Sequence, residues 1–547
     1  MVDESNGLDI NAGSAPDGIY IDGAYNSMVL DVVNSGAGLT LSGLTIQHGD
    51  DDPAGGIYVE GSHFGQFSEG TYVHLTNSEV TGNVAHGSQV DKYSFASGGG
   101  ITNRGYLVVD NSTIYDNESV ASGDIYPVFG GGGINNLGRA VISDSTISSN
   151  DADQFGGGIF QGFTNYPTYL NVSNTEISDN LSYLGGGVAT SSFFGVTPDE
   201  GSVGNVGSNI GQLVDSTITG NHAVSGAGVG IKYLGGNAKW KISHSTISEN
   251  ETSDNGGDGG GLSVGLNFCC GPYNFTIPNG TLNVLDSTIS GNYASNSGGG
   301  AAIGFNAQKY EDTVQFNNST IASNEANYDG GGLYLGYTDG PYYFSTPVFS
   351  TIVGDNTAAG APNDLGQGQS GLNAGTRAAA TGGAFDLSFS LVEVPGNAQF
   401  IETPAGSNIF GLDPQLGPLA DNGGPTFTHL PSINSPVVDK GSAPGNLTTD
   451  QRGQARTVDT GPANAHDGTD IGSVELPTGP AGPAGPAGAA PPAKTKVGTL
   501  KKKHKKRRRV LRTKNAVTKV RITFRSNVPG GTFRCSVDGG AFEPCSS

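Results

Sequence analysis

The stretch Asp144-Ser-Thr-Ile-Ser-Ser-Asn150, with the glycine cluster Gly156-Gly-Gly-Ile159 that follows it, decides the fold of this chain. The seven-residue phrase recurs along the sequence at intervals of 29 to 42 residues. Its full copies end at Asn117, Asn150, Asn180, Asn221, Asn250, Asn292 and Asn324, and weaker copies end at Asn83 and Asn356. A phrase repeated at such a period is the signature of a repeat architecture, in which each unit packs on the next.

Each repeat also contains two further apolar segments. One is the glycine cluster with its aliphatic residue, which recurs at 98–101, 131–134, 156–159, 185–188, 259–262 and 330–333. The other is a short aliphatic run such as Leu107-Val108-Val109. Runs this short, with period-two apolar residues and β-branched side chains, favour strands, and no 3.6-residue period is present. A repeat therefore provides three short strands and three turns.

Three short strands cannot bury the apolar face of a single repeat, but stacking each strand on its counterpart in the next repeat does so. The sequence therefore predicts an all-β right-handed parallel β-helix with three sheets and about a dozen coils. The isoleucines of the phrase should stack as an inward ladder while the preceding Thr points outward. These isoleucines are Ile114, Ile147, Ile177, Ile218, Ile247, Ile289, Ile321 and Ile352. A β-propeller is the competing fold, but its hairpin turn signals do not recur in register.

Two residue types should shape the turns. The trailing Asn residues are expected to form a ladder, because their amides bond to backbone groups and tolerate a left-handed φ. The glycine clusters suit a tight corner that needs both positive φ and close approach of two backbones.

Composition excludes several classes of protein. The chain has 547 residues, of which 90 are Gly, 50 are Asp or Glu and 27 are Lys or Arg, and its formal charge is −23. The glycines are clustered rather than placed at every third position, which excludes collagen. The sequence contains no run of about 18 apolar residues, which a transmembrane helix would require. The first residues lack the basic and apolar regions of a signal peptide.

The basic residues are concentrated at one end of the chain. Residues 1–480 contain 11 basic and 48 acidic residues, whereas the last 67 contain 16 basic and 2 acidic residues. The Pro/Gly/Ala stretch 479–493 separates the acidic body from this tail and is typical of a spacer. The cations of the basic run are Lys501, Lys502, Lys503, Lys505, Lys506, Arg507, Arg508 and Arg509. Such a run is usually solvated, and its functional interpretation is adhesion to a polyanionic wall polymer. The acidic body argues against binding of nucleic acid.

The G-G-G-I and S-T-I-x-x-N phrases resemble the bacterial polymorphic outer-membrane-protein-like right-handed β-helix family of the pectin-lyase-like superfamily, over roughly residues 18–475. The most specific part is Leu416 to His429 with the later segments 435–436, 450–453 and 470–475, which is similar to the segment that closes such helices. The resemblance implies an extracellular protein of unassigned activity. Phe533 to Cys545 resembles the start of an immunoglobulin-like module common in secreted actinobacterial proteins.

These features suggest four units along the chain. They are a β-helix at 1–412, its C-terminal capping segment at 413–478, a linker with the basic run at 479–518 and a partial immunoglobulin-like module at 519–547.

The four cysteines do not have the spacing of a zinc site, because no paired histidines accompany them. Cys535 and Cys545 bracket Asp538-Gly539-Gly540, a hairpin signal, which predicts a cross-strand disulfide and an oxidising compartment. Cys269-Cys270 could form a vicinal disulfide, stay reduced or pair elsewhere.

Most of the length variation between repeats falls after the glycine-cornered strand, so the insertions should leave the rod along one edge. These insertions are rich in aromatic residues, which suit sugar stacking or protein contact; alternatively the rings fold down onto the sheet. The candidate ligand-binding residues are Phe163, Tyr166, Tyr169, Tyr273, Phe275, Tyr337, Tyr342 and Tyr343.

Evidence for catalysis is weak in the sequence. A lyase needs carboxylates that hold Ca²⁺ beside an Arg or Lys base, and a hydrolase needs paired carboxylates. Arg104 and Arg139 occupy different offsets in their repeats, and Asp50-Asp51-Asp52 is typical of a solvated acidic turn. No catalytic residue is assigned. Asp144, Asp215 and Asp286 precede the phrase, but His244 and Asn318 interrupt this series, which excludes repeated Ca²⁺ sites and leaves room for one. No cofactor is expected.

The resulting expectation is a monomeric, extracellular or cell-surface β-helical scaffold that binds a glycan or protein through its loop edge, without contact to a membrane. The alternatives are a polysaccharide lyase or glycoside hydrolase of the pectin-lyase-like superfamily, and an inert structural spacer.

Overall fold

The computed structural model describes most of the chain up to residue 477 and two short strands near its C-terminus. The described residues are 8–477 except 13–18, 34–37, 62–70, 88, 91–92, 95–96, 122–129, 163–166, 191–208, 233, 235–237, 254–255, 266–279, 305–312, 337–344, 369–383, 446 and 461–463, together with 533–535 and 543–545. Cys269 and Cys270, and all of the basic run, lie outside the described residues.

The described chain winds into a right-handed parallel β-helix, which confirms the predicted fold class. Each full coil contributes one strand to each of four stacked sheets. We number these sheets in the order in which a coil passes through them. Sheet 1 begins after the glycine cluster, sheet 2 holds the aliphatic run, and sheet 3 holds the Ser-Thr-Ile phrase. Sheet 4 follows the trailing Asn; it is a short additional sheet beyond the three that the phrase predicts.

The strands of sheet 1 are Leu30–Val32, Ile57–Val59, Ile101–Asn103, Ile134–Asn136, Ile159–Gln161, Val188–Thr190, Val229–Ile231, Leu262–Val264, Ala301–Ile303, Leu333–Leu335 and Leu365–Gln367. The strands of sheet 2 are Leu8–Asn11, Leu39–Ser42, Tyr72–Thr76, Tyr106–Asp110, Arg139–Ser143, Thr168–Ser173, Asn209–Val214, Lys239–Ser243, Thr281–Leu285, Thr313–Asn317, Ser345–Phe349, Ala384–Ser388 and Phe400–Glu402.

The strands of sheet 3 are Ile19–Asp22, Leu44–Gln47, Glu79–Thr81, Thr113–Tyr115, Thr146–Ser148, Glu176–Ser178, Thr217–Thr219, Thr246–Ser248, Thr288–Ser290, Thr320–Ala322, Ile352–Gly354, Leu391–Val392 and Ile409–Phe410. The strands of sheet 4 are Asp50–Asp51, Val84–Gly87, Glu118–Ala121, Asp151–Phe155, Leu181–Leu184, His222–Ser225, Glu251–Thr252, Tyr293–Ala294, Glu325–Ala326, Thr357–Ala358 and Ala361–Pro362.

Three antiparallel pairs complete the strands of the described chain. Thr357–Ala358 turns back on Ala361–Pro362 at the end of sheet 4. Gln89–Val90 pairs with Tyr93–Ser94, and Phe533–Cys535 pairs with Glu543–Cys545. In the last pair the register places Cys535 opposite Glu543 and Cys545 opposite Phe533. The disulfide between these cysteines stays a prediction.

The inward isoleucine ladder of sheet 3 is present with one correction. Ile114 to Ile321 pair in register from coil to coil, and their side chains are fully buried. In the next coil Val353 pairs with Ile321, and Ile352 pairs with the outward Thr320. The prediction that Ile352 belongs to the inward ladder is therefore wrong. Counting back from Asn356 gives the observed register, because the distance from inward residue to trailing Asn is constant.

The trailing asparagines form a ladder inside the rod. Asn150 Nδ2 donates to Asn180 Oδ1 at 3.0 Å and to the carbonyl of Ile114 at 2.9 Å. The same pattern repeats between neighbouring coils from Asn83 to Asn356, and every member is at most 1% exposed. The Asp364 carboxylate ends the ladder by accepting from Asn356 Nδ2 at 2.9 Å. Each amide thus satisfies buried backbone and side-chain groups of adjacent coils.

Left-handed backbone occurs beside these asparagines rather than at them. Positive φ is found one residue earlier, as at Asp116 (φ 53) and Asp179 (φ 56), and at the first residue of the phrase, as at Asn111 (φ 43) and Asp144 (φ 49). The expected link between the trailing Asn and left-handed φ is therefore wrong. Asn and Asp open the phrase because they tolerate this conformation better than other non-glycine residues.

The glycine cluster meets both requirements that its sequence suggested. Gly156 has φ +63, and a Cβ on Gly158 would lie 2.6 Å from the carbonyl oxygen of Gly187 in the next coil and 3.1 Å from Asn180 Nδ2. The corner is therefore packed directly against the asparagine ladder, which leaves no room for a side chain.

Residues 413–477 lie against the outer face of sheet 3, and we call this segment the C-terminal cover. Thr246 Oγ1 donates to the carbonyl of Phe427 at 2.6 Å, and Thr288 Oγ1 donates to Gln451 Oε1 at 2.7 Å. Ile352 packs with Val437 and Ile471 of the cover. The cover therefore hides sheet 3 from about Thr246 to Ile352 and leaves the earlier coils open.

Within the described part of the chain there is no helix of the length and apolarity that a membrane crossing requires.

Candidate functional site on the outer face of sheet 2

Only one of the eight predicted ligand-binding residues lies among the described residues. Tyr169 is half-buried on the outer face of sheet 2, in the strand Thr168–Ser173. The other seven lie outside the described residues: Phe163, Tyr166, Tyr273, Phe275, Tyr337, Tyr342 and Tyr343.

Most of the large insertions share one attachment point in the coil, where the end of a sheet 1 strand connects to the start of the following sheet 2 strand. The connection 122–133 is an exception, because it joins a sheet 4 strand to a sheet 1 strand. Insertions of this kind are 62–70, 163–166, 191–208, 266–279, 305–312, 337–344 and 369–383. Parallel stacking places these attachment points along one edge of the rod, next to the first outward residues of sheet 2.

Those first outward residues form a continuous row of large side chains. Tyr72, Tyr106, Arg139 and Tyr169 pair in register on successive coils, and we call them the tyrosine–arginine row. The rings of Tyr72 and Tyr106 meet edge to face with centroids 5.2 Å apart. The Arg139 guanidinium carbon lies 4.7 Å from the centroid of the Tyr106 ring, within the range of a cation–π interaction.

A second outward row runs beside the first. Val141, Asn171 and Gln212 follow Arg139, Tyr169 and Ile210 by two positions in their strands. Together these six residues line an open depression of about 400 Å³. The depression therefore offers aromatic and guanidinium groups on one side and amide groups on the other.

Three of the five described cations of the acidic rod lie on this face. Within the described part of 8–412, the Lys and Arg residues are Arg104, Arg139, Lys232, Lys239 and Lys241. Arg139, Lys239 and Lys241 project from sheet 2. Arg104 and Lys232 follow sheet 1 strands, and Lys232 Nζ lies 5.1 Å from the ring of Phe155 in sheet 4. In the eight sheet 2 strands from Tyr72–Thr76 to Thr313–Asn317, Asp110 is the only acidic residue. The face is thus locally cationic on a strongly acidic body.

A simple sequence signal marks the row independently of the insertions. Tyr72, Tyr106, Arg139 and Tyr169 each stand five positions before the first residue of the phrase, at Asn77, Asn111, Asp144 and Asn174. Because coils stack in register, a constant offset from the phrase predicts a column on the surface. The three residues other than Tyr169 could have been found in this way.

Ionisable groups with altered pKa occur on the opposite border of sheet 2. His244 Nδ1 lies 3.8 Å from Asp215 Oδ1, and its Nε2 lies 3.8 Å from Asp286 Oδ2. Burial raises the pKa of Asp286 to about 7 although Arg456 opposes the shift, and burial lowers the pKa of His244. Both separations exceed hydrogen-bond length, and the cover buries Asp286 completely. The cover therefore withholds Asp286 from any ligand, whereas Asp215 stays partly exposed at the edge of the cover.

The remaining acidic candidates are engaged within the fold. Asp50 Oδ1 lies 2.9 Å from His86 Nε2, Asp51 accepts from the Met28 amide, and Asp52 accepts from Ser97 Oγ at 2.8 Å. Across the described ranges, no group of three or more His, Cys, Asp or Glu side chains has the arrangement needed to hold a metal ion.

The fold and this face define the class of protein: a parallel β-solenoid with an aromatic and cationic strip on one sheet. In comparisons with known proteins, no family, no curated protein and no solved structure matches the chain.

Proposed function

We propose that this chain is an extracellular β-helical scaffold that holds an extended glycan along sheet 2. The tyrosine–arginine row is the observation that supports this proposal, because half-buried tyrosines in register give a flat apolar platform with polar tips. The neighbouring amides of Asn171 and Gln212 can exchange hydrogen bonds with sugar hydroxyls. The aromatic residues of the insertions, which attach along one border of this platform, would add to the binding of the sugar.

The cations of the face suggest that the preferred glycan carries acidic groups. Arg139, Lys239 and Lys241 lie on the same face as the row, whereas the rest of the rod repels anions. An acidic glycan would therefore be guided to sheet 2 rather than to the other faces, with a dependence on ionic strength.

The experiment is retention of the full chain on a panel of neutral and acidic cell-wall polysaccharides at low salt. The double variant Y106A/Y169A should lose about tenfold or more in affinity, since two stacking platforms disappear. Y115A removes a half-buried tyrosine from sheet 3 and serves as the control. Equal binding by both variants, or no retention of the unaltered chain on any polymer, would reject the proposal.

Three finer assignments accompany the scaffold. The repeated phrases support membership of the polymorphic outer-membrane-protein-like family, with the C-terminal strands as part of an immunoglobulin-like module. Secretion would follow from that membership and would permit a disulfide between Cys535 and Cys545. The basic run Lys501 to Arg509 would attach the protein to a polyanionic wall polymer.

Polysaccharide cleavage is the second candidate. Arg139 and Lys241 on an open cationic face are side chains of the type that could remove a proton next to a uronate carboxyl group. Incubation of uronate polymers with the chain and Ca²⁺ would then release unsaturated ends that absorb in the ultraviolet. If the chain binds the polymer without releasing such ends, the lyase hypothesis is rejected and the scaffold hypothesis is retained.

A further inference from the structure

One half of the outer face of sheet 3 already binds another segment of this chain, the turn-rich C-terminal cover. Thr246, Thr288 and Thr320 are at most 1% exposed because the C-terminal cover lies on them. Thr288 donates to Gln451 Oε1, and Thr320 Oγ1 accepts from the Ser473 amide at 3.0 Å. The hydroxyl groups of this face are thus suited to pairing with the polar groups of a chain laid across the strands.

The other half continues the same face without a cover in the described part of the chain. It comprises the strands Glu79–Thr81, Thr113–Tyr115, Thr146–Ser148, Glu176–Ser178 and Thr217–Thr219 with their bordering turns, and we call it the open strip. Thr217 pairs in register with Thr246 at the edge of the covered half. Outward Thr113, Thr146 and Thr217 are half-exposed.

The open strip is uniformly acidic. Its repeats are 77–83, 111–117, 144–150, 174–180 and 215–221, and all of their residues are described. They carry the carboxylates Glu79, Asp116, Asp144, Glu176, Asp179 and Asp215 and contain no Lys, Arg or His. His244, in the next coil, is 3.8 Å from Asp215 at the border with the covered half. A cationic segment therefore complements this face in charge.

We infer that the basic run 501–509 of the same chain docks across the open strip, as a continuation of the C-terminal cover. The run supplies eight Lys and Arg side chains and His504 in nine consecutive residues. An extended nine-residue segment is about 30 Å long. The five strands of the strip span about 20 Å at ~4.8 Å per strand, so the run is long enough to reach all of them.

The position of the cover makes this docking reachable. Ser473 contacts Thr288 and Thr320, and Thr288 lies two coils from Thr217 at the border of the strip. The Pro/Gly/Ala-rich segment 478–500 then links the cover to the run. A chain of that length can span up to about 75 Å, whereas two coils rise only about 10 Å along the rod, so the run can reach the strip.

This inference goes beyond the proposed adhesion of the basic run. The strip and a polyanionic polymer would compete for the same cations, so the run would be held against the rod until a polymer displaces it. Because the contacts are exposed ion pairs, docking should weaken as salt increases.

The test is carbodiimide crosslinking of the full chain, at dilute protein concentration and ~0.02 M salt, followed by peptide mapping. Amide links should join the lysines of the run to Glu79, Glu176 or Asp179, and their yield should fall about tenfold in ~0.5 M salt. The variant E79Q/E176Q/D179N should lower the crosslinking of the run to the remaining strip carboxylates by a similar factor. Asn suits the positive φ of position 179, so this variant preserves the backbone.

The matched control is E118Q/E251Q/E325Q, which removes three exposed carboxylates from sheet 4 with the same change in charge. It should leave the crosslinks to the strip unchanged. Links spread evenly over sheet 4 and sheet 3, or equal loss in both variants, would overturn the inference. A mixture of isotopically light and heavy chains identifies links between chains, and a majority of such links would reject docking within one chain. Polysaccharide retention on sheet 2 is measured separately, so failure here is distinguishable from failure of the proposed function.

Discussion

The covered and open halves of sheet 3 share one phrase and one backbone, yet their outer faces differ in almost every physical property. Thr146 and Thr288 occupy equivalent positions, and both precede an inward isoleucine. Thr146 is half-exposed, whereas Thr288 is fully buried and bonded to Gln451. The phrase therefore specifies the backbone of the coil. Contact with a distant segment specifies whether the outer surface of that coil is exposed or buried.

The largest predicted effect concerns the charge beneath the cover. Arg456 is fully buried, and its Nη1 lies 3.7 Å from Asp286 Oδ1, also fully buried. R456A leaves a cavity under the cover and removes the counter-charge of Asp286, which can then take up a proton, so lost packing should lower the free energy of unfolding by about 3–4 kcal/mol. Denaturant unfolding measures the change. The control R139A removes an exposed arginine from sheet 2 and should cost less than ~0.5 kcal/mol; similar costs for both would show that the cover is not stabilised by this pair.

The second prediction tests whether the two halves are alike inside the rod. N150A lies in the open half and N292A in the covered half, and both remove a member of the buried ladder. Each leaves buried amide and carbonyl groups unpaired, so each should cost about 2–3 kcal/mol. Equal losses in denaturant unfolding would confirm that the halves differ only outside. A much smaller loss for N150A would mean that the cover also stabilises the interior of its own half.

The third prediction is a pH dependence that originates under the cover. Burial raises the pKa of Glu475 to about 8 and that of Asp470 to about 6, as it does for Asp286. The folded state therefore binds protons that the unfolded state releases between about pH 4 and pH 8, so these groups make stability fall as pH rises through that window. Buried His429 and half-buried His244 have lowered pKa and oppose this trend below about pH 6.5.

Between pH 6.5 and 8 the histidines no longer titrate, so only the carboxylates change the stability. Thermal unfolding across this window should show that the free energy of unfolding falls by about 1–2 kcal/mol as the pH rises. The variant E475Q should reduce the slope of stability against pH, while Asp286 and Asp364, whose pKa values burial raises to about 7, maintain the rest. A stability that is constant or rises across this window would contradict the prediction.

The smallest predicted effect is the direct comparison of the two threonines. T288V removes a buried hydroxyl that donates to Gln451 and should cost about 1–2 kcal/mol, because the glutamine oxygen loses its partner. T146V alters a half-exposed site and should change stability by less than ~0.5 kcal/mol. The difference between the two variants measures the contribution of the cover at one position.

Most of the rod could be predicted from the sequence, because its determinants recur within each repeat. The inward isoleucines, the asparagine ladder and the glycine corner all depend on offsets of a few residues from the phrase. The Ser-Thr-Ile motif predicts an inward Ile352, but this copy of the phrase is shifted by one residue. The distance to the trailing Asn356 sets the register and makes Val353 the inward residue. An outward isoleucine is tolerated there since Val437 and Ile471 cover it.

The candidate site was predicted only in part. Tyr169 was singled out as a residue near an insertion, and the structure places it in a row with Tyr72, Tyr106 and Arg139. Neighbours in this row are 30 to 34 positions apart in the sequence, and only parallel stacking brings them together. The total charge of the body is strongly negative and therefore gives no sign that cations are concentrated on sheet 2.

The sequence by itself determined the coil: which residues point inward, where the backbone turns left-handed and how each repeat pairs with the next. These features depend on steric and hydrogen-bonding rules that act within one repeat or between neighbouring repeats. Only the tertiary structure decided which outer faces stay open, because Phe427 meets Thr246 across 181 residues and no local pattern encodes that contact. The surfaces available for binding are therefore set by the long-range packing of the cover, which buries one half of sheet 3 and leaves the other exposed.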